Sequence, residues 1–173
     1  TSLEKQTELV KSIKIVSINK ESSYDGRLLL KEMDTLQIHN TSKINLFIIK
    51  KKLGRGTFSD VYMGKYNDLD CAIKIIRGEE RFFMAGEVEA SIIVNFKHKN
   101  IINILDIFLL NTKHICMVMP IYNTCLYKYS KHPKRKEPSK RDFDFIIIEL
   151  CHGLMYLDDT GIIHTDIKPE NIL

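Results

Sequence analysis

The feature that most constrains this chain is residues 46–77, where three alternating apolar stretches are separated by only two short breaks. Residues 46–53 read as a strand that ends at Gly54, residues 58–66 (FSDVYMGKY) as a second strand, and residues 70–77 as a third. Asn67-Asp68 is a turn signal, because both side chains tolerate left-handed backbone. Residues 79–96 (EERFFMAGEVEASIIVNF) carry acidic residues early and an apolar face later, as a helix does, although Gly86 opposes it. Two further strands, 101–110 and 114–121, flank an Asn111-Thr112 turn. Residues 142–157 (DFDFIIIELCHGLMYL) predict the clearest helix, with Asp142 as N-cap and Phe145, Ile148, Cys151 and Met155 close to one stripe. Five strands with one inserted helix, followed by helices, make an α+β layout in two unequal lobes.

The 173 residues are 44% hydrophobic and 28% charged, enough for one core or two small lobes. A net charge of +4 gives no footprint for nucleic-acid binding. No apolar run approaches the ~18 residues of a membrane span, so no membrane partner is expected. The opening residues TSLEKQTELVKSIK lack the apolar stretch of a signal peptide. Cys71, Cys116, Cys125 and Cys151 have no metal-binding spacing and read as free thiols of a reducing, intracellular compartment. Residues 1–43 are polar and mixed in charge, with one apolar patch at Leu28-Leu29-Leu30, and read as a poorly ordered extension. Residues 131–141 (KHPKRKEPSKR) read as a basic loop.

Three stretches and one acidic residue carry candidate chemistry. LGRGTFSDVY contains Leu53, Gly54, Arg55, Gly56, Thr57, Phe58, Ser59 and Val61, and its glycines would let a turn backbone approach phosphate oxygens with N–H groups aimed at them. CAIK follows in the third strand, with Ala72 and Lys74. A half-buried ammonium needs a countercharge, for which Glu89 and Glu87 are the candidates; two residues apart on a helix, they cannot both face it. Last comes IIHTDIKPENIL, with Asp166, Lys168, Asn171 and Leu173. Taken singly, the first two stretches also fit an ordinary hairpin and a surface lysine, and both glutamates fit solvated helix charges. The P-loop pattern G-x-x-x-x-G-K-[ST] is absent.

In this order and spacing, across residues 46–173, the motifs resemble those of eukaryotic-type Ser/Thr protein kinases. Their patterns are G-x-G-x-x-G-x-V, V-A-I-K and H-R-D-L-x-x-x-N; Ser59 stands here for the third glycine and Thr165 for the arginine. The resemblance implies an α+β, protein-kinase-like fold, with residues 44–122 as an N-lobe of a five-stranded antiparallel sheet and one helix plus the hinge, and residues 123–173 as the start of the helical C-lobe. It implies ATP and Mg2+ as cofactors and a protein Ser/Thr hydroxyl as acceptor. Val61 and Ala72 would cover the adenine, with Leu173 as its floor. Met119 would be the gatekeeper, and the Pro120 carbonyl and Tyr122 N–H would bond the adenine edge. Lys74 would meet the α- and β-phosphates and Glu89, nine residues before His98, would hold it. Asp166 would take the hydroxyl proton, Lys168 would steady the γ-phosphate and Asn171 would bind a metal ion.

HTD with DIKPENIL, KHICMVMPIY at 113–122 and the FS of TFSDVY resemble the SR-protein kinases and the related Clk (LAMMER) kinases. The basic stretch 128–141 departs from the acidic surface with which SR-protein kinases hold Arg-Ser substrates. The kinase segment D-F-G, which supplies another metal ligand, does not occur through Leu173. The sequence is therefore expected to be a fragment with little activity alone. The alternative reading is a pseudokinase or regulatory module that binds nucleotide without catalysis.

Overall fold

The structure is a computed structural model that describes residues 13–38, 46–133 and 139–173. It divides into two compact units, one of residues 1–96 and 103–121, the other of residues 97–102 and 122–173.

The first unit is built on seven strands among the described residues: β1 (Lys14–Ser17), β2 (Thr35–Ile38), β3 (Leu46–Arg55), β4 (Ser59–Tyr66), β5 (Leu69–Ile76), β6 (Asp106–Leu110) and β7 (His114–Pro120). The predicted β3–β4–β5 meander is present, and its second turn, Asn67-Asp68, has both residues at positive φ (49° and 65°). Asn111 and Thr112 also have positive φ (50° and 56°), within the three-residue loop 111–113 that joins β6 to β7. The sixth strand therefore pairs antiparallel to β7, and β7 to β5.

The five-stranded sheet expected from sequence is corrected by the N-terminal segment. Strand β2 pairs with β3, β1 pairs with β2, and β1 lies parallel to β6, so the sheet closes into a barrel ordered β1-β2-β3-β4-β5-β7-β6. The poorly ordered extension expected over 1–43 is thus folded throughout 13–38; residues 1–12, 39–45 and most of the basic loop (134–138) lie outside the described residues. Composition misleads because closure needs few apolar groups: Val16, Leu28, Leu30 and Leu36, all buried, supply it.

Alternation then builds two cores from one set of strands. Phe108, Leu110, Cys116, Val118, Ile73 and Ile75 point into the barrel with Phe47, Ile49 and Tyr62. Leu109, Ile115, Met117 and Ile76 point out, toward Phe82 and Ala90 of helix α1 (Glu80–Ile93). Strand β7 is covered on both faces, which is why it reads as an unbroken apolar run. Gly86 opposes the helix by propensity, yet it permits the packing: a Cβ there would lie 2.9 Å from Ile76 Cγ1.

The second unit carries α2 (Leu126–Lys131), α3 (Lys140–Asp159) and a 3-10 turn at Pro169–Asn171. Helix α3 starts earlier than predicted. Its N-cap is Ser139, whose side chain accepts from the Asp142 N–H while Asp142 reaches back to the Ser139 N–H, a reciprocal capping box. The predicted stripe is also corrected: Phe145, Ile148, Cys151 and Met155 are exposed, and the buried positions are Gly153 and Leu157. That face packs on residues 97–102, with Tyr156 stacked on His98 at 4.7 Å and Glu149 bonded to Lys99 and Asn100. Three donors gather on the Glu149 carboxylate, those of Asn100 first, and hold its pKa down at about 2.

Candidate active site

On the first unit the site begins at the β3–β4 hairpin. The strands run out at Arg55 and resume at Ser59, and the Gly56 N–H donates to the Ser59 carbonyl at 2.8 Å to close the turn. A register shift between Lys52 and Gly54 leaves Leu53 without a cross-strand partner and sets Gly54 opposite Val61. Ser59, in the third glycine position, is buried without breaking the hairpin. Arg55, Thr57 and Phe58 are exposed, and the Phe58 ring meets Phe82 of α1 edge-on at 5.5 Å. A Cβ on Gly54 would meet nothing within 4 Å, and one on Gly56 nothing nearer than 3.6 Å. Neither glycine has left-handed φ, so the fold itself does not demand them.

Strand register places Val61 beside Lys74, and Ala72 beside both Met63 and Met119. Ala72 and Lys74 are two apart and share the sheet face that looks toward α1. Lys74 Nζ lies 2.5 and 2.7 Å from the two oxygens of Glu89. Glu87 and Glu89 flank the packed Gly86–Ala90 face of α1 on opposite sides, about 200° apart around the axis, so only one can meet Lys74, and the observed contact selects Glu89. Pro120 ends β7 opposite Cys71, where its missing N–H costs the ladder least.

On the second unit, Asp166, Lys168 and Asn171 converge. Lys168 Nζ lies 2.8 Å from Asp166 Oδ2, and Asn171 Nδ2 donates to Asp166 Oδ2 and to its backbone carbonyl, each at 2.9 Å. Pro169 opens the 3-10 turn that brings Asn171 back toward Asp166. The Asp166 N–H donates to His164 Nδ1 at 3.2 Å. Bonding to Lys168 first, and then Asn171, holds the Asp166 carboxyl below its usual range, while Asp166 raises Lys168. The carboxylate is therefore ionised at neutral pH and able to accept from a hydroxyl. Between His164 and Asp166, Thr165 sits at φ 61°, an unusual backbone for a β-branched residue. Leu126 is tied to the same segment by a bond from its N–H to the Ile172 carbonyl at 2.8 Å. Tyr122 and Leu173 belong to this unit and are exposed.

Magnesium prefers hard oxygen donors. Both Asn171 bonds use the amide nitrogen, which leaves its oxygen as such a donor beside the Asp166 carboxylate, so these residues fit the ion. Among the described residues no cluster of three or more His, Cys, Asp or Glu is placed to hold a metal by itself. Such an ion would need further oxygens, as a bound phosphate provides.

Sequence reading misses one group around the hairpin. Arg27, Asp25 and Arg77 contact residues 55–60, and the first two lie in the segment expected to be an extension. No motif marks them; the β4–β5 pairing brings Arg77 there, and the closed barrel brings Arg27 and Asp25.

The family model described as protein kinase domain matches residues 47–173. The chain is 30% identical over 145 residues to the probable serine/threonine-protein kinase yakA of Dictyostelium discoideum, covering 79% of this chain and 10% of that one. It is 31% identical over 135 residues to the dual specificity protein kinase KNS1 of Saccharomyces cerevisiae (73% and 18%). It is 35% identical over 129 residues to cyclin-dependent kinase 14 of Xenopus tropicalis (71% and 30%). A solved crystal structure titled as the kinase domain of PF14_0431 superposes with a TM-score of 0.65 at 27% identity, covering 72% of this chain and 38% of that one. The chain thus spans less than a third of the length of these curated relatives. By the extent of the model match and the identity of these relatives, the chain belongs to the protein kinase domain family.

Proposed function

We propose that this chain contributes the nucleotide-binding and catalytic-loop residues of an ATP-dependent protein serine/threonine kinase. The observation that carries the reading is the Lys74–Glu89 contact, because an isolated strand lysine has no reason to be gripped by a helix carboxylate. A lysine so held is a fixed positive charge for the α- and β-phosphates. The open space around Gly54 and Gly56 supports an approach of phosphate to the hairpin backbone. Val61, Ala72 and Leu173 would contact the adenine ring, beside Met119, Pro120 and Tyr122. Asp166 accepts the hydrogen of the acceptor hydroxyl, and Lys168 steadies the transferring phosphoryl group. Asn171 would hold magnesium, which when bound neutralises phosphate charge. Residues 44–122 would then be the N-lobe and hinge and 123–173 the opening of the C-lobe.

HTD, DIKPENIL and TFSDVY support an affinity with the SR-protein and Clk kinases. Among the described residues no helix is long and apolar enough to cross a membrane. The test is a titration with a fluorescent ATP analogue. Binding is expected, with loss in Lys74→Met; equal affinity of parent and variant would overturn the lysine's role. Mg-ATP-dependent phosphorylation of a generic protein substrate, lost in Asp166→Ala, tests catalysis in the whole kinase. Binding without transfer there would favour the nucleotide-binding module instead.

A further inference from the structure

The Arg27 guanidinium is buried, its side chain 6% exposed, under the glycine-rich hairpin. Each of its nitrogens has an acceptor nearby. Nε donates to Asp25 Oδ2 (3.1 Å), Nη1 to Asp60 Oδ1 (3.1 Å) and the Ser59 carbonyl (3.4 Å), and Nη2 to the carbonyls of Gly56 (2.8 Å) and Thr57 (3.2 Å). Arg77 adds a second donor to the Thr57 carbonyl at 3.1 Å, and its own N–H donates to the Phe58 carbonyl at 3.0 Å. Arg27 is delivered by the turn Ser23–Arg27. That turn is fastened to the barrel by Gly78 N–H to the Gly26 carbonyl (2.7 Å) and Arg77 Nε to the Asp25 carbonyl (2.8 Å). Gly26, at φ +70°, has room for no side chain, since a Cβ would lie 2.8 Å from Glu79 Cγ.

The consequence follows from peptide geometry. In a planar trans peptide the C=O and the next N–H point in opposite directions, and none of the described bonds here is cis. Fixing the carbonyls of Gly56, Thr57 and Phe58 toward the two arginines turns the N–H groups of Thr57, Phe58 and Ser59 the other way. A hairpin tip of exposed residues would otherwise sample many peptide orientations, and a ligand would have to bear the ordering cost. We propose that Arg27 is a positioning residue: the 23–27 turn straps the glycine-rich hairpin and presets its amides for a polyphosphate. The inference rests on the nucleotide reading given above.

Arg27→Lys keeps the charge opposite Asp60 but cannot fork across several carbonyls, and Arg27→Gln removes the charge as well. Two readouts are made on the 173-residue chain and both variants: amide hydrogen exchange of Gly56 and Arg77, whose N–H groups bond the Ser59 and Phe58 carbonyls, and dissociation constants for ATP and for adenosine, which has no phosphate. Expected is exchange at least ten-fold faster at both amides, with ATP affinity reduced ten-fold or more and adenosine affinity changed less than two-fold. Arg27→Lys folds most readily, so it decides the matter if Arg27→Gln does not fold. Unchanged exchange overturns the strap. Equal losses for ATP and adenosine overturn the phosphate role and leave Arg27 a plain stabilising residue. If the parent binds neither nucleotide, the phosphate role falls together with the nucleotide reading, a failure told apart because it appears in the parent.

Discussion

Gly64 and Gly54 lie on the same hairpin, and the fold demands glycine at only the first of them. A Cβ on Gly64 would fall 2.3 Å from the Ile48 carbonyl oxygen and 2.3 Å from Phe47 Cε1. Contact of that kind needs more than 3 Å, so something must move by roughly 1 Å. The Ile48 oxygen is backbone in the β3–β4 pairing, and Phe47 is fully buried, so neither can retreat cheaply. Gly64→Ala should therefore cost about 3 kcal/mol, the upper end of overpacking. Gly54→Ala meets open space at a backbone that any residue adopts. Its stability should change by less than about 0.5 kcal/mol, with the reduced freedom of the unfolded chain favouring a gain. Its ATP affinity should nevertheless fall about ten-fold, or ~1.4 kcal/mol, if phosphate approaches the backbone there. Urea denaturation gives the first quantity and nucleotide titration the second. A Gly64→Ala chain as stable as the parent would refute the packing argument. A Gly54→Ala chain that binds ATP undiminished would refute the phosphate argument.

Three other expectations are cheaper to check. Leu36 is fully buried in the barrel, so Leu36→Ala should lower stability by about 2–5 kcal/mol in urea melts, whereas a poorly ordered extension would show no effect. Buried His114 bonds Ile76 O and Ser22 Oγ, and burial lowers its pKa from the ordinary 6.5; the unfolded chain then takes up the proton first, so stability should decline as pH falls below 6.5 and be flat above it. The lowered carboxylates Asp34, Asp142 and Glu149 act only below about 4.5, so a flat profile between pH 7.5 and 5.5 would exclude the histidine effect. Thr165→Asn should raise the stability by roughly 1 kcal/mol in urea melts, since asparagine tolerates the positive φ that threonine resists; a lower stability would show that the threonine is not strained.

What is legible in the sequence is local. The β4–β5 and β6–β7 turns can be read because Asn67, Asp68 and Asn111 announce a backbone that few residues accept. The acidic partner of Lys74 narrows to two residues that flank the packed face of α1, and the side of the helix on which Lys74 lies decides between them. What cannot be read depends on partners far apart in the chain. Strand β1 closes the barrel against β6, more than ninety residues away, with a single buried valine as its local signal. The buried face of α3 escapes sequence reading because four apolar residues make a plausible stripe, while the real contact uses Gly153 against Asn100 and the stacked ring of Tyr156. Arg27 shows the same limit at the site itself. In sequence it is one more charge in a polar segment, the composition that argues against order. Its value comes from geometry, since a planar fork can reach three carbonyls and two carboxylates only after the barrel has closed around it. A family motif records the residues that face the ligand. The groups that hold those residues in position need no fixed spacing, and in this chain one of them, Arg27, comes from a segment that carries no motif.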